Sequence, residues 1–381
     1  DIAGVMGLKG KGWPWSPYIF SARGQDYDPQ AEILSRSALN VWKHLHEWSD
    51  EPPEPPAAHE EVTQQEAQDK LSELLNVGDR PKEKRPQQEE YCQSIRAMFA
   101  PMAEDENPHI VLAEAETGVG KTLGYLAPAS VWADKNEGAV WISTFTKNLQ
   151  RQIDSELDRL YPHPAVKEAY VAVRKGRENY LCLLNLEEAA AGAALSHNPR
   201  HAVSAGIMAR WVGATKDGDL SGADFPGWLA TLFGWANTVG LSDRRGECIY
   251  SACDHYRRCF IERSVRKAAR ARLVIANHAL VMINAASSTS SEDMPTRYIF
   301  DEGHHLFSAA DSAYAAYLTA RESAELRRWI LGNEGAKKGR SRGLKRRCED
   351  LIEGDEKAMH ALDDILKETS NALCAVNWSH R

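Results

Sequence analysis

The chain has 381 residues, 43% of them hydrophobic and 26% charged, with a net charge of −8 and seven cysteines. That length allows two or more domains, and that composition is globular rather than low-complexity or collagen-like. Seven cysteines in such a length are no disulfide framework, no apolar run approaches a membrane span, and residues 1–30 carry no signal-peptide core, so a cytoplasmic location is expected.

The chain opens on a Gly- and Trp-bearing stretch, Gly10-Lys11-Gly12-Trp13-Pro14-Trp15. A helical pattern follows from Ile33 to Trp48, with Ile33, Leu34, Leu39, Trp42, Leu45 and Trp48 able to share one apolar face. Such a face ordinarily packs on a neighbouring domain, here the main one; stacking of the aromatics on bases is the alternative. Residues 50–60 read as a stiff acidic linker, and a helix is expected from about Val62 to Leu75. Strands are expected at His109–Ala113, Ala139–Phe145, Ala169–Val173, Ala271–His278 and Arg297–Glu302, with helical patterns between most of them. That alternation predicts an α/β fold with a parallel sheet covered on both faces. Residues 183–247 break the rhythm with an Ala-rich helix (Glu187 to Leu195), Gly-rich turns and Trp211, Trp228 and Trp235, and read as an inserted subdomain. After Ala309 come a long helix, a basic Gly/Ser loop from Gly335 to Arg347, and helix again to Trp378.

Two stretches carry nucleotide chemistry. The first is Ala115-Glu116-Thr117-Gly118-Val119-Gly120-Lys121-Thr122, between an apolar run and a helical run. Gly118 and Gly120 permit a tight turn whose N–H groups face phosphate oxygens, and the helix that starts there adds its positive dipole end. Lys121 suits the β and γ phosphates of ATP, the Thr122 hydroxyl suits Mg2+, and Thr117 and Val119 complete the loop. The second is Asp301-Glu302-Gly303-His304, directly after the apolar strand Tyr298-Ile299-Phe300. Asp301 there suits Mg2+, and Glu302 suits orientation and deprotonation of an attacking water.

Together these motifs resemble superfamily 2 helicases of the DEAH type, with Ala115 matching the helicase form A-x-T-G-x-G-K-T and Gly303 replacing the usual Ala. Ser143-Thr144-Phe145-Thr146-Lys147-Asn148-Leu149-Gln150-Arg151-Gln152 resembles the family's strand-contacting motif. Arg85-Pro86-Gln87-Gln88 resembles its adenine-reading motif, with Gln88 the expected reader. Lys175-Gly176-Arg177-Glu178-Asn179-Tyr180-Leu181-Cys182 and Ala276-Asn277-His278-Ala279-Leu280 resemble the XPD/DinG iron–sulfur branch, and Asp-Glu-Gly-His-His is most similar to bacterial DinG. The resemblance spans about Arg80 to Phe307. It implies a RecA-like motor domain (80–178 and 270–310), an iron–sulfur subdomain (179–269) and a helical arch segment (311–381). Before these come an accessory segment (1–49) and a linker with helix (50–79). It also implies ATP-dependent unwinding of DNA with 5′-to-3′ polarity, and a His304 that links nucleotide state to the strand-binding surface.

Cys248, Cys253 and Cys259 are separated by four and five intervening residues, with Cys182 upstream. Four thiolates in one insert fit Zn2+ or an iron–sulfur cluster, or are buried free thiols; the absence of paired C-x2-C spacing favours the cluster. The resemblance points to 4Fe-4S. Cys92, Cys348 and Cys374 stand apart and read as plain core or surface residues. Between Arg244 and Arg272 nine Arg/Lys face three Asp/Glu, and between Arg321 and Arg347 ten face three. Beside Tyr250 and Tyr256, the first cluster (Arg244, Arg245, Arg257, Arg258, Arg263, Arg266, Lys267, Arg270 and Arg272) suits a single-stranded nucleic acid, against the alternative of a solvated helix face.

No late motif of Gln followed by Gly-Arg and a further Arg occurs from Asp311 to Arg381, so the second motor domain is expected to be missing here and hydrolysis by this piece to be slow. The leading expectation is a DinG-type helicase acting on single-stranded, fork or R-loop DNA. The alternatives are a non-motor ATP-gated nucleic-acid clamp, and a DinG-type subunit of a larger nucleic-acid machine, such as a CRISPR-associated complex, docked through residues 1–79.

Overall fold

The computed structural model describes residues 41–50, 52, 55–77, 85–101, 108–195, 199–243, 248–287, 295–316, 320–332 and 343–373. Expectations for Gly10–Trp15, for Ile33–Leu39, for Arg244 and Arg245, for most of the basic loop and for Cys374 to Trp378 fall outside these residues. In chain order the helices and strands are α1 (Gln64–Asn76), α2 (Pro86–Arg96), α3 (Lys121–Asn136), β1 (Val140–Thr144), α4 (Lys147–Leu160), α5 (Pro164–Tyr170), β2 (Val171–Val173), α6 (Leu183–Leu195), α7 (Pro199–Val212) and α8 (Trp228–Phe233). They continue with α9 (Phe260–Arg270), β3 (Leu273–Asn277), α10 (His278–Ser287), β4 (Arg297–Phe300), α11 (Leu306–Tyr314), α12 (Ala320–Leu331), α13 (Leu344–Cys348) and α14 (Glu356–Ala372). The chain divides into two compact units, residues 50–175 with 264–315, and residues 1–49 with 176–263 and 316–381.

The first unit holds an all-parallel sheet in the order β2-β3-β1-β4, with Val140 opposite Leu273 and Arg297, and Val171 opposite Leu273. Parallel strands need a crossover between each pair, so both faces are covered and the strands are mostly apolar, with polar residues at their ends (Ser143 and Thr144, Asn277, Arg297). The period of two separates the faces. Val140, Ile142, Leu273, Ile275 and Ile299 join one core with α1, α3 and α4, while Trp141, Val274 and Ala276 join a second with Ala268, Leu280 and Val281. Helix α1 starts at a capping box: the Thr63 hydroxyl accepts from the Glu66 amide, and the Glu66 carboxylate accepts from the Thr63 amide at 2.7 Å. Helix α3 is buried on most sides, as a helix that is apolar nearly all round must be.

Four of the five expected strands form. The fifth, His109–Ala113, does not: it joins no ladder, and Ile110 and Leu112 are 72% and 94% exposed. An apolar run becomes a strand only where a neighbouring edge pairs it, and no described edge does so here. Residues 58–60 also depart from a free spacer. The Ala58 amide donates to Asn136 O at 2.9 Å and the Glu60 amide to Asn136 Oδ1 at 2.6 Å, which fastens them to the end of α3.

In the second unit, α6 and α7 pack together and bury Leu186, Met208, Trp211 and Val212 with Leu220, Phe225, Leu241 and Phe260. Single antiparallel bridges, Tyr180 to Asp219 and Leu181 to Ser242, bring its segments together. Residues 41–44 form one 3-10 turn whose Trp42, 5% exposed, lies in this core. Of the accessory segment, residues 41–45 pack within the cysteine-bearing unit, where Trp42 finds its apolar neighbours. Helices α12 and α14 pair separately, α14 being capped by Asp355, which accepts from the Lys357 and Ala358 amides.

Candidate nucleotide site and cysteine-bearing unit

Because the sheet is parallel, the ends of β1, β3 and β4 share one edge, where such sheets hold ligands. The loop before α3 faces chemistry from there. Gly118 and Gly120 have φ of +88° and +92°, and Gly120 caps α3. Side chains from the start of α2 grip this loop: Arg85 Nη1 donates to Gly118 O, and Gln88 Nε2 donates to Gly120 O at 2.8 Å. Gln88 is 3% exposed and lies so close that a methyl on Gly120 would meet its Nε2 at 2.3 Å. The expected adenine reader is therefore a brace of the phosphate loop in this structure. Thr117 is exposed, while Val119, Lys121 and Thr122 are half-buried.

The acid pair follows β4. The Asp301 amide donates to Ser143 O at 2.8 Å, extending the β1–β4 pairing by one residue. The chain then turns at Glu302, which adopts φ +57°, a left-handed conformation uncommon outside glycine. That turn aims Glu302 at the loop: Lys121 Nζ lies 3.4 Å from Glu302 Oε1, and His304 Nδ1 lies 3.6 Å from Oε2. Burial raises the Asp301 carboxyl above the usual range and the Glu302 charge adds to it, while Lys121 pulls the other way. A buried carboxylate beside a second one is a donor set that a divalent cation suits, with Thr122 as the neutral partner.

Beneath the pair, His278 is 1% exposed and its Nδ1 lies 2.7 Å from Ser143 Oγ. His305 stacks on Phe145 at 3.8 Å between ring centroids and 13° between planes, and His304 lies 4.0 Å from His305. These contacts tie the acid-pair turn to the expected strand-contacting motif. In that motif Gln150, 1% exposed, has both amide atoms without a hydrogen-bond partner. Tyr91 went unread in the sequence although it sits one turn after Gln88. Burial, then Asp301 and Glu302, push its hydroxyl up to about 12, and its ring would lie 2.7 Å from a methyl on Gly124. The signal was its i+3 spacing from Gln88 on α2.

In the second unit Cys182, Cys248, Cys253 and Cys259 are all half-buried and none is in a disulfide. Burial raises the Cys182 thiol, against the Asn185 and Leu184 amides, and pushes Cys259 up to about 11, against the Glu262 and Ile261 amides. The Tyr250 amide donates to Cys248 Sγ at 3.4 Å. Among the described residues no three His, Cys, Asp or Glu side chains are gathered closely enough to hold a metal ion. The four expected ligands are therefore not gathered as a set in this structure, and the N–H···S contact from Tyr250 to Cys248 is of the kind that surrounds thiolate ligands. Cys92 is a core residue, its thiol against Ala67 O at 3.8 Å. In the basic stripe, Arg258 pairs with Glu47, Arg263 Nη2 donates to His46 O at 2.6 Å, and Arg257 lies over the Trp48 ring at 5.9 Å.

No protein-family model matches the chain. Curated relatives do. The ATP-dependent DNA helicase YoaA of Haemophilus influenzae is 32% identical over 230 residues, covering 58% of this chain and 34% of the relative. YoaA of Escherichia coli is 34% identical over 229 residues, covering 57% and 33%. The 3′-5′ exonuclease DinG of Bacillus subtilis is 30% identical over 215 residues, covering 54% and 21%. The matched part of the chain spans 21% to 34% of the length of these relatives. No described helix is long and apolar enough to cross a membrane. With its phosphate loop and acid pair facing each other on one sheet edge, and with this similarity over more than half of its length, the chain is DinG-like.

Proposed function

We propose that this chain is the ATP-binding motor domain and cysteine-bearing insert of an ATP-dependent DNA helicase of DinG type. The observation that carries it is that Lys121 and Glu302, 181 positions apart, meet at 3.4 Å. Loop amides of residues 117–122 and Lys121 bind the β and γ phosphates of ATP. Thr122 and Asp301 are the residues that would hold Mg2+, which when bound would neutralise charge developing on the phosphates. Glu302 takes a proton from the attacking water as its oxygen bonds to the γ phosphorus and the bond to ADP breaks; His304 keeps the Glu302 carboxylate in place. Arg85 and Gln88 hold the loop in its binding shape. The Phe145–His305 stack carries the state of the acid pair toward single-stranded DNA on the motif from Ser143 to Gln152, moving 5′ to 3′.

Cys182, Cys248, Cys253 and Cys259 are the residues that would hold a 4Fe-4S cluster, as the resemblance implies, and the basic face with Tyr256, Arg257 and Arg258 contacts the DNA backbone and bases. Full turnover needs a second motor domain that supplies arginine fingers, worth about 10^3-fold or more in rate.

In the intact protein, Glu302→Gln retains ATP binding and loses turnover by about 10^2- to 10^4-fold, the ordinary contribution of a general base. Lys121→Ala loses binding and turnover together. Wild-type ATP hydrolysis by Glu302→Gln removes Glu302 from the base role. ATP hydrolysis without DNA unwinding by the intact wild type favours the clamp instead.

A further inference from the structure

Residues 45–49 lie on the basic face that the reading above gives to DNA. Trp48 is held twice by backbone: its amide donates to Arg257 O at 2.9 Å and its indole Nε1 to Tyr256 O at 2.9 Å. Its ring meets the Tyr256 ring edge-on at 5.1 Å, beneath the Arg257 guanidinium. Next to it the Glu47 carboxylate pairs with Arg258, and the His46 carbonyl accepts from Arg263. The segment thus presents an anion to an arginine and an aromatic ring to a tyrosine, the pairings that a nucleotide's phosphate and base would make with the same side chains.

Its attachment is uneven. Trp42 is buried in the unit's core against the His255 ring at 5.2 Å, whereas His46, Glu47 and Ser49 are exposed and Leu45 and Trp48 only half-buried. The Glu47–Arg258 pair is itself open to water, with side chains 44% and 26% exposed, and such pairs hold weakly. Release of residues 45–49 therefore leaves the Trp42 anchor and the core intact.

We propose that residues 45–49 are an internal competitor for single-stranded nucleic acid, engaging Arg257 and partly covering Tyr256, Arg258 and Arg263 until a strand displaces them. The proposal rests on the DNA-binding reading of this face and adds to it the segment that guards it. A surface that is open only part of the time binds with its affinity reduced by the open fraction, so weakening the guard tightens binding.

The test uses the intact protein and a labelled oligo(dT) strand. Glu47→Gln binds it about two- to threefold tighter than wild type and Glu47→Gln/Trp48→Ala about five- to tenfold tighter, with unchanged circular dichroism. In the wild type, where folding is not in question, oligo(dT) accelerates hydrogen exchange at the Trp48 amide. Arg257→Ala/Arg258→Ala weakens binding in both backgrounds. Equal affinities and a protected Trp48 amide, with the arginine variant still weakened, overturn the competitor and leave the DNA face standing. Oligo(dT) binding that is absent, or indifferent to Arg257 and Arg258, overturns the DNA face and the competitor with it.

Discussion

Gly118 and Gly120 provide a matched pair of substitutions in one loop. Both have left-handed φ, +88° and +92°, so alanine at either carries the same backbone strain, about 1–2 kcal/mol. Their surroundings differ. A methyl on Gly118 meets nothing within 4 Å, whereas one on Gly120 meets Gln88 Nε2 at 2.3 Å and Cδ at 2.9 Å. Gln88 must then move, losing its hydrogen bond to Gly120 O and leaving a buried amide unpaired, a further cost of about 1–3 kcal/mol. Gly120→Ala is thus expected to destabilise by about 2–5 kcal/mol and Gly118→Ala by about 1–2. In thermal melts at about 2–4 °C per kcal/mol, the expected gap is roughly 2–12 °C. Replacing Gln88 by Ala removes the obstruction, so Gly120→Ala costs less in that background than in wild type. Equal melting points for the two glycine variants, or a Gly120→Ala cost that Gln88→Ala does not reduce, refute the argument that Gln88 braces the loop.

Gly303 lies at an ordinary φ, and a methyl there would meet only Phe300 Cβ at 4.0 Å, so Gly303→Ala is expected to change stability by less than about 0.5 kcal/mol and to leave ATP turnover intact. Glu66 is held below its ordinary value, about 4.3, first by the Thr63 amide and then by Lys135. A depressed carboxyl stabilises above its unfolded pKa and loses that contribution as pH falls through the folded one. Glu66→Gln therefore costs at most about 0.5 kcal/mol at pH 7 in chemical denaturation, since the carboxylate is open to water and Gln can still close the capping box, and the difference from wild type closes in acid below the folded pKa. Anaerobically purified protein is expected to be brown, with iron and sulfide and little zinc, and Cys253→Ser to bleach it and loosen the second unit; a colourless protein with stoichiometric Zn2+ sinks the cluster.

What the sequence showed best was chemistry with a local cause. The turn of Gly118 and Gly120, the lysine and threonine after it, and the acid pair after an apolar strand are patterns of neighbours, and the structure brings the lysine and the acid together. Strands β1 to β4 were legible because strands buried on both faces are continuous apolar runs. Ile110-Val111-Leu112-Ala113 has the same signature and no ladder, since pairing depends on an edge far away in sequence. Trp42 and Trp48 were expected on one helical face, but residues 41–44 form a single 3-10 turn and Trp48 lies beyond it, and the partners they chose, His255 and Tyr256, are more than two hundred positions away. Arg85 was legible only as a neighbour of Gln88, because nothing local says that its guanidinium reaches the Gly118 carbonyl. The left-handed turn at Glu302 had no signal either: glutamate is not a residue that favours it, and the surrounding contacts hold it there.

That turn has a use in the proposed reaction. An extended continuation of β4 would send successive side chains to opposite faces of the sheet, whereas φ of +57° brings Glu302 to Lys121. The two side chains are 36% and 26% exposed, and an ion pair so open to water is worth about 0–1 kcal/mol. A triphosphate in the loop carries more charge and offers Lys121 shorter, charge-assisted hydrogen bonds, so it wins the ammonium at little cost. The carboxylate is then left to His304 and to the water it must activate. Phosphate binding and release of the base are thus one exchange at a single lysine. A base that is occupied until the γ phosphate arrives has no reason to be held far from the loop, and this one is 3.4 Å away.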